Sequence, residues 1–87
     1  MADKKLEEAI DQIKPPIAML LNDNSVPRNV KSALDDAKRA LGQDAGYSVR
    51  ASSATYKIDE VSNDINLPPY ARTVICSILS QLESIKD

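Results

Sequence analysis

The 87-residue chain has no histidine, no tryptophan and no phenylalanine, one cysteine and two glycines. Each shortage excludes something. Without histidine there is no in-chain Ser-His or Cys-His dyad, and the commonest side-chain metal ligand is missing. A single cysteine, Cys76, cannot form an internal disulfide, which suits a reducing compartment. It stands in the most apolar stretch, so it is expected as a small core or half-buried residue rather than a reactive thiol. With Gly42 and Gly46 as the only glycines, no glycine-rich phosphate loop can form. A core without Phe or Trp must be built from Leu, Ile, Val and Ala, which favours close helix packing. No apolar run approaches the ~20 residues that span a bilayer. The charged opening stretch, residues 1–8, lacks the apolar centre of a secretory signal. The expectation is a soluble cytoplasmic protein with no membrane association.

Charge of one sign is not in surplus either. Eleven Lys and Arg face thirteen Asp and Glu, a net charge of −2. Non-specific affinity for nucleic acid comes mainly from neutralising phosphates, so a polyanion is not favoured as the main partner. Apolar residues at 43% and charged residues at 28% are those of an ordinary globular protein. A chain of this length forms one domain, 1–87, with a sufficient but small core.

What is present is a stretch that occurs twice. Asn22, Asp23, Asn24, Ser25, Val26 and Pro27 return as Asn63, Asp64, Ile65, Asn66, Leu67 and Pro68, 41 residues on. The register then holds: Lys31 answers Arg72, Leu34 answers Ile75, Ala37 answers Ile78 and Leu41 answers Leu82. A period of this size marks stacked helix pairs.

In chain order, the first helix is predicted over 3–21, with Leu6, Ile10, Ile13, Ile17 and Leu20 on one stripe. Pro15 and Pro16 predict a kink or brief break, with two short helices as the alternative. Residues 22–26 form a turn, and Pro27 opens the second helix. Ser25 and Asn66 are N-cap candidates, with Val26 and Leu67 as the alternative. The second helix carries Val30, Ala33, Leu34, Ala37 and Leu41 inward and stops at Gly42. Asp44 or Ser48 can cap the third helix, predicted over 47–63. Its stripe is Tyr47, Ala51, Ala54, Ile58, Val61 and Ile65. The fourth helix, 68–85, is the most apolar and is expected to be the most buried. No alternating run competes for a strand. The fold class is all-α: a four-helix up-and-down bundle made of two repeated helix hairpins, 3–42 and 46–86.

Two resemblances follow from these residues. Asp, then Pro, then Val30-Lys31 or Ala71-Arg72 looks like a degenerate HEAT-type helix pair, and Val49-Arg50 supplies a third such dipeptide. The second covers most of the chain. Asp23, Val26, Pro27, Arg28 and Asn29, then Val49 to Ala51, Ala54, Tyr56 and Asp59 to Ser62, then Leu67, Pro68 and Ala71 to Thr73, resemble the small uncharacterised archaeal protein family 0147. That resemblance implies a four-helix protein of an archaeal cytoplasm. It carries over no activity and no catalytic residue.

A search for chemistry returns little. Asp59, Glu60 and Asp64 form a carboxylate-rich stretch, but Asp59 and Glu60 point about 100° apart on a helix, and Lys57 makes a solvated face the better reading. Ser52 and Ser53 lack a base. No catalytic, cofactor-binding or metal-ligating residue is identified, and no cofactor or enzyme activity is expected. A candidate basic contact is Arg28, Lys31, Lys38 and Arg39 on the second helix, interrupted by Asp35. The last helix is more informative. Thr73, Ser77, Ser80, Gln81 and Ser84 are polar, and no charge occurs between Arg72 and Glu83. Interface cores are depleted in charge, so these residues, with Tyr70 as a rim anchor, are the candidate interface; a Ser-rich solvent face is the competing account. The expected function is a small non-enzymatic protein-interaction or adaptor module that binds a protein partner or a second copy of itself. The alternative is an accessory subunit of a nucleic-acid-associated complex.

Overall fold

Ile10, Ile13, Ile17 and Leu20 recur at steps of three and four, and they are the buried stripe of α1, Ala2–Leu21. The structure, a computed structural model, describes residues 2–86; Met1 and Asp87, the ends of the predicted domain, lie outside the described residues. Helix α1 continues through Pro15 and Pro16 without a break. The prolines offer no N–H to the carbonyls of Asp11 and Gln12. Both residues are exposed, so water can serve those carbonyls instead. The apolar stripe keeps its phase across the pair, which is why two short helices do not form.

Helix α2, Arg28–Gly42, buries Val30, Leu34, Ala37 and Leu41. Helix α3, Tyr47–Asp59, buries Ala51, Ala54 and Ile58. Helix α4, Pro69–Glu83, buries Ala71, Ile75, Ile78 and Leu82. Each helix packs against two neighbours in a ring, α1 on α2 and α4, and α3 on α2 and α4. The α2–α3 seam is the most extensive. Small buried residues, Ala37 on α2 and Ala51 and Ala54 on α3, let those backbones approach closely. Short connections make neighbours antiparallel, and the result is an all-α bundle 40 × 19 × 18 Å. One cluster of buried Ile, Leu, Val and Ala runs through it, and among the described residues no polar side chain lies fully buried.

Several predicted details are corrected. The prolines themselves occupy the N-caps: Pro27 accepts from the Lys31 amide at 3.0 Å, and Pro68 accepts from the Arg72 amide at 3.0 Å. Neither Ser25 and Asn66 nor Val26 and Leu67 hold that position. Pro27 therefore precedes α2 rather than opening it, and its fixed φ starts the helix in place of a side-chain cap. Gly46, not Asp44 or Ser48, is the N-cap of α3. Gly42 ends α2 as its last helical residue, and no glycine among the described residues has positive φ. The third helix ends at Asp59 rather than near residue 63. Tight turns follow, Val61 to Ile58 at 3.1 Å and Asp64 to Val61 at 3.1 Å. They rotate Ile65 off the stripe and out to solvent at 91% exposure, while Leu67 takes the buried place. Helix α4 is no more buried than α1 or α2, because its outward face is wide. Cys76 lies on that face and is exposed, not in the core.

Candidate functional site

The two interhelical turns lie at one end of the bundle and are bonded to each other. Asp23 accepts the Ser25 amide at 2.8 Å through Oδ1, and Asp64 accepts the Asn66 amide at 2.8 Å in the same way. The second oxygen of each carboxylate reaches across to the other hairpin. Tyr70 donates its hydroxyl to Asp23 Oδ2, and Asn29 donates Nδ2 to Asp64 Oδ2 at 2.7 Å. Tyr70 and Asn29 are themselves 41 positions apart, so the crossed bonds occupy equivalent places. The Tyr70 hydroxyl, then the Ser25 amide, hold the Asp23 carboxyl below its ordinary pKa. The Asn29 amide, then the Asn66 amide, do the same for Asp64. The Asp23 carboxylate in turn raises the Tyr70 phenol. Sequence reading paired Asp23 with Asp64 but missed their partners; the shared offset of Asn29 and Tyr70 was the available signal.

At the opposite end, Arg50 ties three helices together. Its guanidinium lies 4.4 Å from the centroid of the Tyr47 ring. It donates to the Leu41 carbonyl at 3.2 Å, near the C-terminus of α2, and to Glu7 Oε1 at 3.4 Å on α1. Tyr47 donates its hydroxyl to the same Glu7 oxygen at 2.9 Å. A cation at the negative end of a helix is well placed. Arg50 was read as part of a repeated dipeptide and of the family resemblance, and no local pattern announces its role.

The charge-free face of α4 adjoins a groove of about 550 Å³ between α1 and α4. Pro15, Pro16 and Met19 form one wall; Thr73, Val74, Ser77 and Gln81 form the other. None of the seven carries charge. Met19 is half exposed at 51%, although it sits in a largely apolar wall. Of the predicted interface residues, Thr73, Ser77 and Gln81 line the groove. Tyr70 stands at the start of α4, exposed on one side and bonded to Asp23. Ser80 on α4 and Ser84, the C-cap that follows it, are exposed outside the groove walls, and Ser84 donates to the Gln81 carbonyl at 2.7 Å. Two other grooves are charged: Asp59, Glu83 and Lys86 lie in that between α3 and α4, and Asp36, Arg39 and Lys57 in that between α2 and α3.

The basic residues predicted as a contact on α2 differ in their surroundings. Arg28, Lys38 and Arg39 are exposed and Lys31 is half-buried. Arg39 pairs with Asp35 at 3.1 Å, one turn back. Asp59 and Glu60 are exposed, and Asp64 is held by Asn29. Among the described residues no three Cys, Asp or Glu side chains gather as a metal site would require. No described helix is long and apolar enough to cross a membrane.

A family model described as "Uncharacterised protein family (UPF0147)" matches residues 1–85. The chain belongs to UPF0147. The UPF0147 protein of Methanocaldococcus jannaschii is 37% identical over 86 residues, covering 98% of this chain and 92% of the relative. That of Metallosphaera sedula is 46% identical over 81 residues, 87% of this chain and 90% of the relative. That of Methanothermobacter thermautotrophicus is 40% identical over 81 residues, 92% of this chain and 79% of the relative. The crystal structure of a protein of unknown function, MMP1188, superposes with a TM-score of 0.88 at 35% identity, over 93% of each chain. This UPF0147 member therefore has the four-helix arrangement described above, and the family resemblance read along most of the sequence holds over residues 1–85.

Proposed function

We propose that this UPF0147 protein is a non-enzymatic interaction module that presents its α1/α4 side to a protein partner. The observation that carries the reading is the groove between α1 and α4, walled by seven uncharged residues, where two other grooves carry charged residues. Interfaces concentrate charge at the rim and exclude it from the centre. Exposed Met19 is a side chain that adapts to a partner's shape. A sequence without histidine, the commonest general base, supports a binding role over a catalytic one. The unpaired, exposed Cys76 suits a cytoplasmic location. The equivalent bonds of Asp23 and Asp64 support a construction from two copies of one hairpin.

The test is capture from a native extract with tagged wild-type protein and tagged Ser77→Arg, each with and without nuclease. Partners that survive nuclease and are lost with Ser77→Arg support the reading. Partners retained by Ser77→Arg place the binding surface elsewhere. Partners lost only with nuclease replace it with an accessory role in a nucleic-acid complex through α2, and binding would then weaken steeply with salt.

A further inference from the structure

We infer that residues 2–14 of α1 are a strap that opens on a hinge at Pro15 and Pro16 while the rest of the bundle stays folded, and that Glu7 latches it shut. The strap needs no partner, so it goes beyond the interaction reading and does not depend on it. An α-helix carries four hydrogen bonds across any one of its peptide links, each from an N–H to the carbonyl four residues back. Across the link between Lys14 and Pro15 the donors would be residues 15–18, and two of them are prolines. Half of the ladder is therefore missing at that link. Lys14 and Pro15 each precede a proline, a place where the α conformation is disfavoured. Helix α1 is thus continuous in shape but weakly coupled between its two halves.

The halves are also fastened separately. The second half buries Ile17 and Leu20 and runs into the turn that Tyr70 ties down through Asp23. The first half buries Ile10 and Ile13, with Leu6 and Ala9 packed beside them. Its polar fastening is Glu7, whose Oε1 accepts from the Tyr47 hydroxyl at 2.9 Å and from Arg50 at 3.4 Å. Those partners belong to α3, diagonally across the ring from α1, so the latch closes over the end of the bundle. The latch is light: the Glu7 side chain is 51% exposed, and exposed ion pairs contribute little. Its receiving half stays in place without Glu7, because Arg50 remains bonded to the Leu41 carbonyl and stacked on Tyr47. Closure leaves the Arg50 Nε buried without a hydrogen-bond partner among the described residues, a cost that water removes once the strap lifts. The seams of α1 on α2 and α4 are also the least extensive of the four. Burial of Ile10 and Ile13 keeps the strap closed at rest. Opening presents Leu6, Ala9, Ile10 and Ile13 as the apolar face of a free helix and bares the core beneath them.

The experiment is native-state hydrogen exchange of the full chain, followed by NMR, with circular dichroism as the folding control. Amides of residues 9–14 are expected to share one protection factor, at least ~10-fold below that of residues 19–21. Glu7→Ala removes the latch, keeps a good helix former, and lowers protection of residues 9–14 about fivefold. Ala54→Gly weakens α3 and lowers protection across α2 and α3 about tenfold. It leaves residues 9–14 unchanged, because the strap opens without unfolding α3. If Ala54→Gly does not fold, low urea makes the same separation: protection of α2 and α3 falls steeply with urea, and that of residues 9–14 falls little. Equal protection over residues 9–14 and 19–21 overturns the hinge, since α1 then moves as one piece. A smooth fall in protection from residue 14 toward the start of α1 is fraying and also overturns it. Loss in residues 9–14 that matches α2 and α3, in Ala54→Gly or in urea, overturns the strap, because only global unfolding then exposes it. Unchanged protection of residues 9–14 in Glu7→Ala overturns the latch. None of these outcomes depends on what the capture experiment returns, so the interaction reading is judged separately.

Discussion

Ile65 and Leu67 stand two residues apart in one turn, yet one is 91% exposed and the other 5%. Periodicity alone carried the α3 stripe through Ile65, because its spacing from Val61 is helical. The turns after Asp59 break that phase, and hydrophobicity cannot report a backbone rotation. Substitution separates the two accounts. Ile65→Asp is expected to change unfolding free energy by no more than ~0.5 kcal/mol, as for surface positions generally. Leu67→Ala should cost about 2–5 kcal/mol through lost burial and a residual cavity. Chemical denaturation of both variants decides it, and a large loss at Ile65 would restore the longer helix. Gly42 offers a second single-residue test. It ends α2 without positive φ, and a Cβ added there meets nothing within 4 Å. Gly42→Ala should therefore stabilise by about 0.4–1 kcal/mol, through reduced freedom of the unfolded chain. Had Gly42 been the left-handed stop that its position suggested, the same change would destabilise.

Between elements, the crossed bonds Tyr70 to Asp23 and Asn29 to Asp64 join the start of each hairpin's second helix to the other hairpin's turn. Both carboxyls are held below the ordinary value of 3.8. A carboxyl whose folded pKa is depressed contributes stability that is present above the unfolded pKa and disappears as pH falls through the folded one. Thermal midpoints should thus be level near neutrality and drop below about pH 4. The drop should be shallower in Tyr70→Phe and Asn29→Ala, which start lower at neutral pH. NMR titration should show the Asp23 carboxyl returning toward its ordinary value in Tyr70→Phe; an unchanged Asp23 would mean the tyrosine does not hold it. Tyr70 works in the opposite direction. Its raised phenol pKa preserves the contact below about pH 10 and loses it as the ring ionises. The four helices, their inward faces and the kinship of the two turns were legible because each rests on period and on Asp-to-Pro spacing. The crossed bonds were not, since they depend on which ends meet. Arg50 illustrates the same limit: its partners Glu7 and Leu41 lie 43 and 9 residues away, and nothing local links them.

Across the whole molecule the four seams are unequal. The α2–α3 seam is the most extensive, whereas the two seams of α1, on α2 and on α4, are the least. Helix α1 is also the one whose interior holds two prolines, so two of its carbonyls lack helical partners. Segments with fewer buried contacts open at lower free energy than the global transition. In native-state hydrogen exchange, amides of α2 and α3 should exchange only through global unfolding, and amides of α1 after Pro16 should exchange through a smaller opening. A partner seated on the α1/α4 side would cover one of the two lesser seams, both of which involve α1. Protection in α1 should then rise when a partner captured from extract is bound and not rise in Ser77→Arg, with α2 and α3 much less affected. If α1 protection ignores the partner while α2 or α3 responds to it, the covered seam is on the other side of the bundle. If α1 matches α2 and α3 with and without the partner, the bundle opens as one unit, and the groove is a feature of its surface rather than of its stability.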